Sequence, residues 1–268
     1  MIRWNRPTVS AIWATLLLLL WHFPSAFAAQ SPKVAVLAYH RFDPEKAGPT
    51  TVETRVFEAQ LVWLAAHQYR VVPLRSLVEA LHDPNRTLEA RAVVISVDDG
   101  HRSVYTEMFP VIRRYHVPVT LFIYPSAISN ASYALTWPQL QEMQASGLVD
   151  IESHTYWHPN FRKERKRRTP ADFRTFVAFQ LDHSKEILER KLGTSVTTLA
   201  WPYGIYDSEL EQAAAKAGYK AAFAYAGGLA YSGCDLFAVP RIPVSNADQG
   251  PRLAALLAQV HAGKTRKP

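Results

Sequence analysis

The sequence predicts an α/β fold in which parallel strands alternate with crossover helices. Short apolar runs rich in Val and Ile recur along the 268 residues, and the longer segments between them carry apolar side chains at helical spacing. Residues able to do chemistry cluster just after the apolar runs, which is where loops from separate strands converge in α/β barrels.

The strands are expected at Val34 to Tyr39, Ala92 to Val97, Val119 to Tyr124, Val149 to Glu152, Thr197 to Ala200 and Lys220 to Ala224. They are short runs in which apolar residues predominate or alternate with polar ones, as strands do. Between the first two, Val56 to His67 places Phe57, Leu61, Leu64 and Ala65 on one helical face. Helices are also expected at Val104 to Tyr115, Asp172 to Leu192 and Ser208 to Ala217, the last stopped by Gly218 as a C-cap residue.

Arg3 and Arg6 precede an apolar run that contains Leu16 to Leu20 and ends before Pro24 and small residues. That layout predicts an export signal over residues 1–28, with a single domain over 29–268 located in the periplasm or outside the cell. The run is shorter than the roughly 20 apolar residues a membrane span needs. Cys234 is the only cysteine, so no internal disulfide is available and the core must rest on packing; a buried, inert thiol is expected. The formal charge of +7 includes Arg3 and Arg6, so the exported chain is only mildly basic. Its most basic stretch, Arg162 to Arg168, can attract an anionic glycan, a peripheral cell-envelope surface or nucleic acid, but a solvated loop is expected there. Export and the lack of a binding motif argue against nucleic acid as a partner.

Asp98 and Asp99 leave the end of an otherwise apolar strand, with Gly100 to make the turn. One Asp is explained by capping the next helix. Two adjacent carboxylates repel and raise each other's pKa unless a cation or donors separate their roles. His154 and His158 lie four positions apart, close enough in a helical turn to face one ion, although a histidine pair at that spacing is weak evidence alone. One carboxylate and two imidazoles with an open position make the composition of a catalytic zinc site.

Three short motifs in order carry a resemblance: Ser96-Val97-Asp98-Asp99-Gly100, His154-Thr155-Tyr156-Trp157-His158-Pro159 and Ala200-Trp201-Pro202-Tyr203. Together they resemble the polysaccharide deacetylases with a NodB homology domain, carbohydrate esterase family four. The resemblance implies a distorted (β/α) barrel in a single domain and a metal-dependent hydrolase removing N-acetyl groups from an N-acetylglucosamine-containing polysaccharide. It further implies Asp98 as general base, Asp99, His154 and His158 as ligands of one divalent metal, and the backbone N–H of Tyr203 as oxyanion donor. Zinc suits the donor set, and nickel, cobalt and iron are also compatible with it.

Two positions depart from the family pattern. Ala200 stands where the third motif usually has the arginine that holds the base, and Arg241 is the expected substitute. The usual C-terminal Leu-x-His carrying the general acid is absent; His40, ending the first strand, is expected to take that part, as in the permuted arrangement of exported poly-N-acetylglucosamine deacetylases. Trp201, Pro202, Tyr39 and Tyr156 flank the motifs and are expected to contact the sugar rings. A hydrolase of another amide, such as peptidoglycan N-acetyl groups or a small N-acyl compound, and a carbohydrate-binding protein with a degenerate site remain alternative readings.

Overall fold

The computed structural model describes residues 33–262 apart from Pro84 and Thr87, with side chains as far as Leu257. The expected export signal lies outside the described residues. Among them, no helix is long and apolar enough to cross a membrane.

The expected strands form as β1 (Ala35–Tyr39), β5 (Ala92–Asp98), β6 (Val119–Ile123), β7 (Val149–Ser153), β8 (Thr198–Ala200) and β9 (Ala221–Phe223). Short pieces unmarked in the sequence are β2 (Arg41–Asp43), β3 (Thr51–Glu53), β4 (Arg70–Val71) and β10 (Ile242–Pro243). The main sheet is wholly parallel in the order β10-β1-β5-β6-β7-β8-β9, with β4 also on β5. Residues 239–243 join its two edges. Val239 exchanges backbone hydrogen bonds with Ala222 and Ala224 beside β9, and Ile242 pairs with Leu37 of β1. The sheet therefore curls into the distorted barrel implied by the resemblance.

Strand alternation divides the apolar side chains between two faces. Leu37, Ile95, Leu121 and Ile151 join the large cluster under α1 (Thr54–Ala66), α4 (Trp137–Ala145), α6 (Pro170–Leu192) and α7 (Ser208–Lys216). Val36, Val94, Phe122, Ala200, Phe223 and Val239 form the smaller cluster, closed by Leu74, Leu77 and Val78 of α2 (Leu74–His82). Asp98 shares the parity of Val94 on its strand, and Arg241 that of Val239, so both fall on the inner face.

The helix expected over Val104 to Tyr115 is divided. Pro110 has no N–H and its ring clashes with a carbonyl one turn back, so a π-turn at Val104–Met108 precedes α3 (Phe109–Tyr115). Helix α4 was not anticipated, although Thr136 and Gln139 form a capping box with the N-terminal signature of Thr and Gln three residues apart. The basic stretch is not a solvated loop. Residues Phe161–Arg165 form α5, Arg165 pairs with Asp207 and Glu209, and Arg168 pairs with the buried Glu164. These partners consume part of the charge excess that made the stretch look free. Helix α8 (Pro251–Ala262) ends the described chain. Cys234 is half-buried rather than enclosed, and burial raises its thiol pKa, which disfavours the thiolate.

Candidate active site

The carboxyl ends of β1, β5 and β7 deliver His40, Asp98 with Asp99, and His154 to one rim. They line a cavity of about 450 Å³ together with Arg41, Thr50, Tyr124, His158, Trp201, Tyr203, Gly204, Tyr225 and Arg241. Parallel strands bring these ends together although the residues are far apart in sequence.

Asp98 is buried and meets a fully buried Arg241 in a bidentate pair, with Nη1–Oδ1 at 2.6 Å and Nη2–Oδ2 at 2.7 Å. Arg241 also donates to Ser96 Oγ at 3.2 Å and through Nε to the Ala224 carbonyl at 3.2 Å, and its guanidinium lies over the Phe122 ring. Its planar fork is thus held in one direction. Burial pushes the Asp98 carboxyl pKa up, but the Arg241 charge and its hydrogen bonds outweigh this and hold it well below the carboxylate range. Asp99 behaves oppositely: burial raises its pKa. Two neighbouring acids are therefore driven apart, one fixed as a carboxylate and one short of positive charge.

His154 is buried and donates Nδ1–H to the Ala200 carbonyl at 2.7 Å, which leaves the Nε2 lone pair facing Asp99 Oδ1 at 3.7 Å. Burial pushes its pKa down to about 3, so the imidazole is neutral. His158 Nε2 lies 3.6 Å from the same oxygen, and burial lowers its pKa as well. Ligand atoms about 2.1 Å from one tetrahedral ion are about 3.4 Å apart. One carboxylate oxygen, two neutral imidazole nitrogens and this spacing fit a divalent metal, and the three ligand atoms lie within 4.8 Å of one another. The Ala200 carbonyl that orients His154 is the kind of outer partner that fixes a ligand's tautomer.

All three motifs carry backbone strain. Asp99, Thr155, His158 and Tyr203 are left-handed, with φ of 75°, 66°, 62° and 57°, a conformation that costs an L-residue roughly 1–2 kcal/mol. Gly204 is needed for a different reason. At φ +64° its added Cβ would stand 2.8 Å from Tyr225 Cβ and 3.0 Å from the Tyr225 backbone nitrogen. Gly204→Ala is expected to lower stability by about 1–3 kcal/mol. Gly147→Ala, at φ +73° with no neighbour within 4 Å, carries the conformational cost alone. Thermal unfolding of the two variants checks this, and equal losses would remove the role of the Tyr225 contact.

His40 is half-buried, its Nε2 4.0 Å from Asp98 Oδ2 and its ring edge-on to Tyr225. Tyr203 is 62% exposed, packs on His158, and is the second residue of a helical turn, where N–H groups lack a partner within the turn.

The expected sugar contacts need correction. Tyr39 is buried, its hydroxyl donating to Gln60 and its ring packed on Phe42 and Phe57, because β1 is covered on both faces. Trp201 belongs to the wall but has no exposed surface, and its indole N–H is spent on the Phe237 carbonyl. Pro202 is buried beside it. Tyr156 turns its ring toward Phe179 and His183 on α6, away from the cavity. Arg41, Thr50 and Tyr225 were missed; Tyr225 follows β9 by two residues, so the strand-end rule alone could have found it.

A family model described as polysaccharide deacetylase matches residues 85–222, a span holding all three motifs. The chain belongs to the polysaccharide deacetylase family. The deacetylase is 28% identical over 200 residues to the poly-beta-1,6-N-acetyl-D-glucosamine N-deacetylase of Staphylococcus epidermidis, covering 73% of this chain and 68% of that one. The protein of the same name from Escherichia coli is 24% identical over 87% of this chain, which spans 39% of that relative's length. The solved structure of IcaB from Ammonifex degensii shares the deacetylase's fold, with a TM-score of 0.74 at 24% identity over 85% of this chain and 97% of that one.

Proposed function

We propose that this deacetylase removes N-acetyl groups from β-1,6-linked poly-N-acetylglucosamine, after export directed by residues 1–28, through one domain spanning 29–268. The supporting observation is the approach of His40 Nε2 to 4.0 Å from Asp98 Oδ2, which brings an early imidazole beside the buried carboxylate. The names of the Staphylococcus epidermidis and Escherichia coli relatives favour this glycan.

In this reading Asp99, His154 and His158 hold one divalent metal, for which zinc suits the donors best. When bound, the metal supplies Lewis-acid stabilisation of negative charge and eases deprotonation of water. Asp98, aimed by Arg241, takes a proton from the water that attacks the acetyl carbonyl carbon. The Tyr203 backbone N–H donates to the oxygen that becomes negative as the new C–O bond forms. His40 gives a proton to the sugar nitrogen as the C–N bond breaks, so acetate and a free amine leave.

Acetate release from β-1,6-linked N-acetylglucosamine oligomers, compared with chitooligosaccharides, tests the reading. Acetate from neither glycan by metal-loaded protein would overturn it and favour another amide or a binding role. His40→Ala is expected to keep bound metal and lose most activity on the N-acetyl glycan. Hydrolysis of an activated aryl acetate, whose leaving group needs little protonation, should suffer much less. Equal losses on both substrates would remove His40 as the acid.

A further inference from the structure

We propose that Arg41 makes the site discriminate against glycan whose neighbouring sugars already carry a free amine, so that deacetylation falls on acetylated stretches and spaces its own products. The inference rests on the reading of the cavity as an N-acetylglucosamine deacetylase site.

The wall of the cavity holds two arginines in opposite states. Arg241 is fully buried, with its guanidinium committed to Asp98, Ser96 and Ala224. Arg41 is exposed, and among the described residues its guanidinium has neither a hydrogen bond nor a carboxylate within 4.0 Å. Its backbone is nevertheless fixed: it follows His40 directly, pairs with Thr51 across β2 and β3, and donates its N–H to the Thr50 carbonyl at 3.1 Å. The charge therefore stands on a firm base at the mouth and acts on Asp99, Tyr124 and His101 around it.

The reaction changes the charge of its own substrate. An N-acetyl group is neutral, whereas the amine it leaves takes up a proton at neutral and mildly acidic pH. On a linear chain, the sugars next to the reacting one are either untouched and neutral or earlier products and cationic. A solvent-facing guanidinium leaves neutral neighbours unaffected and repels cationic ones over several ångströms, in a way that salt screens. Arg41 needs no contact with the reacting acetyl group to do this.

The test compares acetate release from a fully acetylated oligomer with release from the same oligomer carrying one glucosamine beside the reacting sugar. The ratio is taken within each protein, so a general change in activity cancels. The unaltered protein is expected to prefer the fully acetylated oligomer by about three- to ten-fold at low salt, falling toward one at high salt. Arg41→Gln should bring the low-salt ratio near one, Arg41→Glu should invert it, and Arg41→Lys should keep it. The same ratio in Arg41→Gln as in the unaltered protein would overturn the proposal. So would a ratio indifferent to salt in the unaltered protein, a measurement that needs no variant to fold. Acetate from neither oligomer would instead overturn the functional reading, and the inference with it.

Discussion

Arg241→Met is expected to reduce turnover by at least about 10²-fold and to destabilise the fold by about 3–5 kcal/mol, the cost of stranding one charge of a buried pair. Asp98 is buried, and the substitution removes its bidentate partner. The pH dependence of stability should change sign. In the unaltered protein the depressed Asp98 pKa contributes stability that is present above the unfolded value of about 3.9 and is lost as pH falls through the folded value. Without Arg241, the upward push of burial is left unopposed and the native state binds the extra proton, so this group's contribution grows as pH falls. Denaturant titrations between about pH 2 and pH 8, with chelator present to keep metal loss out of the comparison, read both slopes, that of the unaltered protein below about pH 4 and that of the variant above it. The acidic limb of the rate profile should move to higher pH in the variant. Asp98→Asn combined with Arg241→Met should recover much of the stability and none of the turnover. Parallel stability slopes in the unaltered and Arg241→Met proteins would mean that the pair does not set the Asp98 charge.

The second large effect separates the two aspartates. His154→Ala removes a buried neutral imidazole whose lone pair faces Asp99. Metal affinity is expected to fall by more than the roughly 10–100-fold that loss of an outer-shell partner costs. Asp98→Asn should keep the metal, because Asp99, His154 and His158 are untouched, while turnover falls by at least about 10²-fold. Asn retains an oxygen to accept from Arg241, so the fold suffers less than it would from Ala. Metal analysis of each purified protein, with acetate release measured alongside, separates the outcomes. Equal metal loss in both variants would show that Asp98 is a ligand and that the division of roles is wrong.

The sequence by itself determined the parallel α/β architecture, because strands covered on both faces must be written as continuous apolar runs and their crossovers as amphipathic segments. It also marked the candidate site residues. Asp98, Asp99, His154 and His158 are polar side chains at the ends of runs such as Ala92–Asp98 and Val149–Ser153, where burying them without partners would be costly. Short strands of two or three residues, such as β4 and β10, were not legible, because so few residues carry no period. Nor was the fate of the aromatic residues. Tyr39, Trp201 and Tyr156 have the composition of sugar-stacking residues, and only the packing of α6, Phe57 and Phe237 around them turned their rings inward or away. The motif pattern nominated Arg241 as the partner of Asp98, and tertiary structure decided how the two reach each other. Those residues are 143 positions apart, and they meet because residues 239–243 pass between β9 and β1 and the strand parity of Val239 turns Arg241 into the barrel. A pairing of that kind depends on which edges of a sheet close on each other, a long-range choice that no local pattern of residues encodes.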